Sequence, residues 1–167
     1  MKLKSLIVVL LCIVVCSSCE QPPIEAYAVL PQPQEINYVQ GFVKLKDKPM
    51  VVYSNELSNE ALLLASYLKN DFAVEVTLEE GKDKGDVILL LDSTVLPDKK
   101  GGYVLEAAGS RITIKASTPE GVFNGVQTLR QIIKEREGRL TVQKALVTDY
   151  PAFSWRAFML DEGRYFK

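Results

Sequence analysis

The feature that most constrains the fold of this sequence is the helix start at Thr118. The threonine offers a capping hydroxyl, Pro119 fits the first helical position, and Glu120 places a carboxylate near the positive end of the helix dipole. Apolar residues then recur on one face at helical spacing, namely Val122, Val126, Leu129 and Ile133, with Ile132 beside them. The pattern predicts an amphipathic helix that has ended by Gly138.

Two glycines, Gly121 and Gly125, lie four residues apart in this helix and therefore share a face. In a helix interior, each glycine costs up to about 1 kcal/mol relative to alanine. We therefore expect a packing reason for both, because a helix without side chains on that face approaches its neighbour closely.

Short strands are predicted on both sides of this helix. Ile112 and Ile114 alternate with polar residues, which is typical of a strand with one solvated face, and a Gly-containing turn joins this strand in a hairpin to the one before it. The predicted strands are residues 42–45, 50–53, 75–78, 86–91, 103–107, 111–116 and 140–147. The continuously apolar run 87–91 is the predicted central strand of the sheet.

A second helix is indicated by apolar residues at helical spacing between residues 61 and 68. Ser58 is the predicted N-cap of this helix, which is expected to end near Asn70. The strands and the two helices together predict an α+β fold, a small sheet with two helices packed on it.

The N-terminus is typical of an exported protein. Two lysines within residues 1–4 precede an apolar run over residues 5–15, which is too short for a comfortable transmembrane helix. The pattern predicts a signal peptide over residues 1–18, with an anchor that is never cleaved as the alternative.

A cysteine at the end of this run predicts a lipid anchor. Ser17 and Ser18 place small residues directly before Cys19, which resembles the processing site of bacterial lipoproteins. Cys19 is therefore the predicted lipidated residue, and residues 19–28 are the predicted tether. Cys16 is the alternative, but bulkier residues precede it. The expected location is the periplasm or the cell surface, attached to a bacterial membrane through lipidated Cys19.

Charge and residue usage exclude several classes of function. A formal net charge of −1 provides no basic surface for nucleic acid. The chain has no histidine, which excludes Ser-His-Asp and Cys-His catalysis and most zinc sites. Its glycines form neither a dinucleotide-binding motif nor a P-loop. We expect no metal and no cofactor.

A new element begins after Pro151, which lacks a backbone donor and biases Tyr150 toward extended geometry. Residues 153–160 then read as a strand that is apolar on both faces, the kind buried in a parallel sheet or barrel. A complete (β/α)8 barrel takes roughly 250 residues. Residues 149–167 therefore hold at most the start of such a barrel.

The C-terminal run W-R-A-F-M-L-D-E-G-R-Y-F is similar to W-R-G-x-x-L-D-x-x-R-H-F, the opening barrel strand of glycoside hydrolase family 20, the β-N-acetylhexosaminidases. Ala157 and Tyr165 stand where the family usually has glycine and histidine. Residues 121–131 resemble the G-x-x-x-G-x-Q-T-L-x-Q helix of the small α+β domain that precedes this barrel, and residues 30–33 resemble its L-P-x-P start. The chain thus resembles the N-terminal part of such an enzyme, with the α+β domain at residues 29–148.

This resemblance implies removal of terminal N-acetylhexosamine from glycans by substrate-assisted, retaining hydrolysis, in which the 2-acetamido oxygen attacks the anomeric carbon. It also implies that Arg156 binds hydroxyls of the terminal sugar, a role that suits a planar guanidinium group. The catalytic Asp-Glu pair of the family follows H-x-G-G, so it is expected beyond this chain rather than at Asp161 and Glu162. The 167 residues alone are therefore expected to be inactive.

Several alternatives remain open from the sequence. One alternative is that Arg156 has a structural role and caps the underside of the barrel. A second is that the domain is a non-catalytic lipoprotein module that binds glycans or a partner. A third is that the chain begins a different hydrolase that shares this domain, such as a family 84 O-GlcNAc hydrolase. Sugar preference and oligomeric state depend on residues that this chain does not contain.

Overall fold

The computed structural model describes residues 23–81 and 84–153, together with residues 155, 157 and 159. Within these residues the chain forms eight strands and two α-helices. The strands are β1 (Glu35–Lys44), β2 (Met50–Tyr53), β3 (Thr77–Glu80), β4 (Val87–Leu91), β5 (Tyr103–Ala108), β6 (Arg111–Ala116), β7 (Lys134–Arg136) and β8 (Arg139–Asp149). The helices are α1 (Ser58–Phe72), which follows a 3₁₀ turn at Asn55–Leu57, and α2 (Pro119–Ile132).

All eight strands belong to one mixed sheet with the order β1-β8-β5-β6-β4-β2-β3, and β7 pairs with β8. The pairs β1–β8, β8–β5, β5–β6 and β7–β8 are antiparallel. The pairs β6–β4, β4–β2 and β2–β3 are parallel. This arrangement confirms the predicted α+β class. The apolar strand β4 lies in the interior between two parallel neighbours, although β6 is the middle strand.

The core lies between the two helices and one face of the sheet. Helices α1 and α2 pack against each other, and α2 also packs on β5 and β6. The buried side chains of this layer include Leu64, Leu68, Leu89, Tyr103, Leu105, Ile112, Ile114, Val122, Val126 and Leu129. Burying one such side chain contributes roughly 1.5–3 kcal/mol, so the apolar face predicted for α2 is what attaches the helix to the sheet.

The two glycines of α2 have the packing reason that the sequence predicts. A Cβ atom on Gly121 would lie 2.3 Å from the carbonyl oxygen of Gly102 and 2.6 Å from Cβ of Ala116. A Cβ atom on Gly125 would lie 2.5 Å from Cγ2 of Ile114. The backbone of α2 therefore rests directly on the ends of β5 and β6.

The two predicted helix caps have different outcomes. Thr118 caps α2 as predicted, and its Oγ1 accepts a hydrogen bond from the backbone N–H of Gly121 at 3.3 Å. Ser58 is not the cap of α1, because it already has helical backbone angles (φ −59°, ψ −36°) at the end of the 3₁₀ turn. Leu57 occupies the N-cap position and makes no side-chain capping bond.

Several element boundaries also differ from prediction. Strand β1 begins at Glu35 rather than residue 42, and the shift in its pairing with β8 between Tyr38 and Phe42 marks an irregularity that interrupts its apolar pattern. Strand β3 lies two residues later than predicted. Helix α2 ends at Ile132, and the chain then forms β7, a strand that the sequence analysis missed because its three residues are charged and exposed.

The strand predicted at residues 153–160 is not confirmed. Its described residues, Phe153, Trp155, Ala157 and Met159, lie outside any strand. A strand needs a neighbour for its backbone hydrogen bonds, and the pairings of the described sheet do not extend to these residues.

Candidate functional site

The two site residues predicted from the sequence, Arg156 and Cys19, lie outside the described residues. The structure does describe the end of the domain at which the chain leaves in the direction of Arg156. At that end, residues 29–34 bring the chain into the domain and residues 149–153 lead out of it, side by side. These are called the incoming segment and the outgoing segment below.

The two segments and one side of α2 border a groove of about 430 Å³, called the junction groove here. Helix α2 contributes Asn124, Gln127, Thr128 and Gln131 to its lining. Leu30 and Phe153, which also line the groove, are 83% and 72% exposed. Among the described residues the lining thus consists of amides, hydroxyls and apolar side chains, with Asp149 as its single carboxylate.

Asp149, the last residue of β8, joins three parts of the domain. Its Oδ1 accepts a hydrogen bond from the backbone N–H of Gln34 at 3.2 Å, and its Oδ2 accepts one from Tyr103 Oη at 3.3 Å. Tyr103 Oη lies 2.5 Å from Thr128 Oγ1. The carboxylate therefore links the incoming segment to β5 and, through Tyr103, to α2.

Tyr103 is held firmly in this network. Its side chain is 1% exposed, and its ring packs against the backbone of Gly125, where an added Cβ would lie 3.1 Å from Cδ2. Burial raises the pKa of Tyr103 well above its ordinary value, with Asp149 adding to the rise and the hydrogen bond between Tyr103 and Thr128 opposing it. The phenol is therefore neutral and can donate to Asp149 throughout the physiological range.

The residues after Asp149 pack on the loop before β5. The ammonium group of Lys99 lies 4.5 Å from the ring centroid of Tyr150, a cation–π contact. Asn124 Nδ2 donates a hydrogen bond to the carbonyl oxygen of Gly101 at 2.8 Å, which fixes the loop. Gly101 has φ +72°, and a Cβ atom there would lie 3.3 Å from Cγ of Pro151. The outgoing segment thus leaves the sheet along a fixed surface.

The incoming segment is held by α2. Gln131 Oε1 accepts a hydrogen bond from the backbone N–H of Leu30 at 3.0 Å, while Gln131 Nε2 donates to the carbonyl oxygen of Gln127. The polar groups described here bond to one another and to the backbone, so they hold the chain in place and do not pair a nucleophile with a base.

The described part of the chain contains no group of three or more His, Cys, Asp or Glu side chains arranged to hold a metal ion. It also contains no helix with the length and apolar character needed to cross a membrane.

Sequence reasoning did not single out the residues of this network. Tyr103, Thr128 and Asp149 come from two strands and a helix, and no spacing pattern connects them. The one available signal was that Asp149 directly precedes Tyr150 and Pro151, where the chain leaves the domain.

The chain is similar to known glycosyl hydrolases over most of its length. The family model for glycosyl hydrolase family 20, domain 2, matches residues 26–150. A β-hexosaminidase from Porphyromonas gingivalis is 31% identical over 147 residues, which cover 83% of this chain and 19% of that protein. The chain therefore spans about a fifth of the length of this relative.

Solved structures show the same fold. The β-N-acetylhexosaminidase from Bacteroides fragilis superposes with a TM-score of 0.67 at 27% identity, over 81% of this chain and 27% of that one. The exo-β-N-acetylglucosaminidase from Vibrio harveyi, in complex with N-acetylglucosamine, superposes with a TM-score of 0.66 at 23% identity, over 83% of this chain and 22% of that one. The mixed sheet with two helices is thus shared with both enzymes.

Proposed function

Since this chain belongs to family 20 of the glycosyl hydrolases, we propose that it is the N-terminal part of a β-N-acetylhexosaminidase that removes terminal N-acetylhexosamine from glycans. One observation carries the proposal. The matched domain ends at residue 150, and the barrel-like sequence W-R-A-F-M-L-D-E-G-R follows within five residues along the chain. The domain and the sequence after it therefore indicate the same enzyme in the same order.

The proposed reaction is substrate-assisted, retaining hydrolysis. In this account the 2-acetamido oxygen of the substrate attacks the anomeric carbon, a glutamic acid protonates the leaving oxygen, and an aspartate orients the acetamido group. We place that Asp-Glu pair beyond this chain. Arg156 is the residue of this chain that we propose binds the terminal sugar, because its guanidinium group offers several coplanar donors to neighbouring hydroxyls.

Exposed apolar side chains after the domain support a continuation of the fold. Phe153, Trp155 and Met159 are 72%, 79% and 88% exposed. Where large exposed apolar side chains form a contiguous patch, another part of the protein usually covers them. The strands and helices of a catalytic barrel would supply that cover, since these residues lie where its first strand is expected.

We also propose that the mature protein is a lipoprotein anchored through Cys19, in the periplasm or at the cell surface. The small residues before Cys19 at the end of an apolar leader support this proposal. Membrane attachment through a lipid would place the enzyme near glycans outside the cytoplasm.

The nucleotide sequence after the codon for Lys167 tests the proposed function. The account predicts a reading frame that continues with a barrel and carries H-x-G-G-D-E downstream. A stop codon at this point, with relatives of the same short length, would instead favour a non-catalytic lipoprotein domain that binds glycans or a partner.

A further inference from the structure

We propose that Asp149 is a positioning residue that fixes the direction in which the chain leaves this domain, so that the domain is a rigid mount for the barrel and not a flexibly tethered module. The inference rests on the proposed function for its consequence in catalysis. Its structural part concerns residues 29–34 and 149–153 and the side chains that hold them, and it stands or falls independently.

The Asp149 carboxylate joins elements that are far apart in sequence. One oxygen binds the N–H of Gln34 in the incoming segment, and the other binds the hydroxyl of Tyr103. Hydrogen bonds to a charged carboxylate are roughly twice as strong as those between neutral groups. A single side chain therefore holds the incoming and outgoing segments together.

Tyr103, the partner of Asp149, is itself held in the core. It is 1% exposed, with its ring against Gly125 and its hydroxyl on Thr128. An aspartate bound to a mobile surface group would restrain little. Here the restraint is transmitted to the packed layer of α2 and the sheet.

The chain from Asp149 to Pro151 is held by contacts at each residue. Tyr150 stacks against the ammonium group of Lys99, and Pro151 lies against Gly101. The proline ring fixes its own φ angle and restricts the residue before it. Flexible connections between domains are usually solvated and poor in contacts, whereas this one is bonded or packed at each residue from Asp149 to Pro151.

The consequence concerns Arg156, which follows Pro151 by five residues. If the outgoing segment is held, the first barrel strand starts from a fixed point and in a fixed direction. Loss of the Asp149 carboxylate would then disturb the placement of the sugar-binding arginine without removing any group that touches the substrate.

The structural part is tested by NMR relaxation on the 167-residue chain. We expect the backbone order parameter at Tyr150 to be about 0.85 in the wild type and below about 0.6 in Asp149→Ala. The amide of Gln34 is expected to exchange at least about tenfold faster in the variant, because it loses its acceptor. Asp47→Ala, which removes an exposed carboxylate from the turn between β1 and β2, is the matched control and should leave these values unchanged.

Two milder variants keep the test decisive if Asp149→Ala does not fold. Asp149→Asn keeps one carbonyl acceptor, and Tyr103→Phe keeps the ring while removing the donor, so both are expected to give intermediate order parameters. Wild-type values already below about 0.6, or values in all three variants that match the Asp47→Ala control, would overturn the proposal.

The catalytic part is tested on the protein encoded by the complete reading frame. Asp149→Ala is expected to raise KM for a chromogenic N-acetylglucosaminide by about threefold or more while kcat stays within about twofold, the pattern of weakened binding without altered chemistry. Asp149→Asn should recover part of the loss. Equal KM in Asp149→Ala and Asp47→Ala would refute the positioning role, whereas absence of turnover in the wild type would refute the proposed function and leave the NMR result standing.

Discussion

Tyr103 Oη and Thr128 Oγ1 lie 2.5 Å apart, in a hydrogen bond that joins β5 to α2 inside the core. The two residues are 1% and 5% exposed. A buried hydroxyl that loses its hydrogen-bond partner still bears the free-energy cost of desolvation. The pair therefore contributes to stability mainly because each group satisfies the other.

Replacing Tyr103 by Phe is expected to lower the free energy of unfolding by about 1–3 kcal/mol, because Thr128 and Asp149 each lose a hydrogen-bond partner. Denaturant unfolding followed by circular dichroism measures this change. Tyr150→Phe is the matched control, since it removes a hydroxyl from the outgoing segment and keeps the ring over which Lys99 lies. Equal effects of the two substitutions would show that the buried hydrogen bond adds nothing to the free energy of unfolding beyond what an exposed hydroxyl contributes.

Alanine at Gly121 or Gly125 is expected to destabilise the domain despite the better helix propensity of alanine. Propensity would add up to about 1 kcal/mol, but overpacking of a tight contact typically costs about 1–3 kcal/mol. The carbonyl of Gly102 leaves no room beside Gly121, and the side chain of Ile114 leaves little beside Gly125. Thermal unfolding measures the net effect.

Gly81→Ala is the control for this prediction, because among the described residues a Cβ there would meet only Cγ1 of Val52, at an ordinary 3.7 Å. The control is expected to stay within about 0.5 kcal/mol of the wild type. An increase in melting temperature for Gly121→Ala would show that α2 can move away from the sheet without loss.

The two helix starts allow a comparison of like residues. Thr118→Ala removes the side-chain bond to the Gly121 amide and is expected to cost about 1 kcal/mol. Ser58→Ala, a loss of one hydroxyl inside the first turn of α1, is expected to stay within about 0.5 kcal/mol because Ser58 does not cap that helix. Denaturant unfolding midpoints of both variants measure the two losses of stability. A larger loss for Ser58→Ala than for Thr118→Ala would show that Ser58 caps α1 after all.

The features that could be predicted from the sequence are those with a local cause. Thr118 and Pro119 predict a helix start through capping and a fixed φ angle, and the alternation of apolar and polar residues around Ile112 predicts a strand. The N-cap of α1 was predicted wrongly because a preceding 3₁₀ turn, a matter of backbone path, places Ser58 in the first turn of the helix. Strand β7 was missed because pairing with β8, and not an apolar pattern, makes it a strand.

The junction between the domain and the outgoing segment could not be predicted for a different reason. Asp149 is recognisable as a partner of Gln34 only once β1 and β8 are paired, and of Tyr103 only once β5 and β8 are paired. These contacts join residues that are 115 and 46 positions apart. Local patterns carry no information about such pairs, because the tertiary fold creates them.

Lipid attachment is expected to depend on Cys19 alone among the three cysteines. Labelled palmitate should be incorporated by the wild type and by Cys16→Ser, and not by Cys19→Ser, because only Cys19 follows two small residues. Expression in a bacterial host with autoradiography of the membrane fraction gives the answer. Label retained in Cys19→Ser and lost in Cys16→Ser would move the anchor to Cys16.

The most direct test of the account compares two proteins in one assay, hydrolysis of a chromogenic β-N-acetylglucosaminide. The 167-residue chain is expected to give no turnover, because the proposed proton donor and the aspartate that orients the acetamido group lie outside it. The protein from the complete reading frame is expected to give multiple turnovers. Turnover by the 167 residues alone, or none by the complete protein, would contradict the proposal that this domain and Arg156 belong to a hexosaminidase whose catalytic pair lies further along the chain.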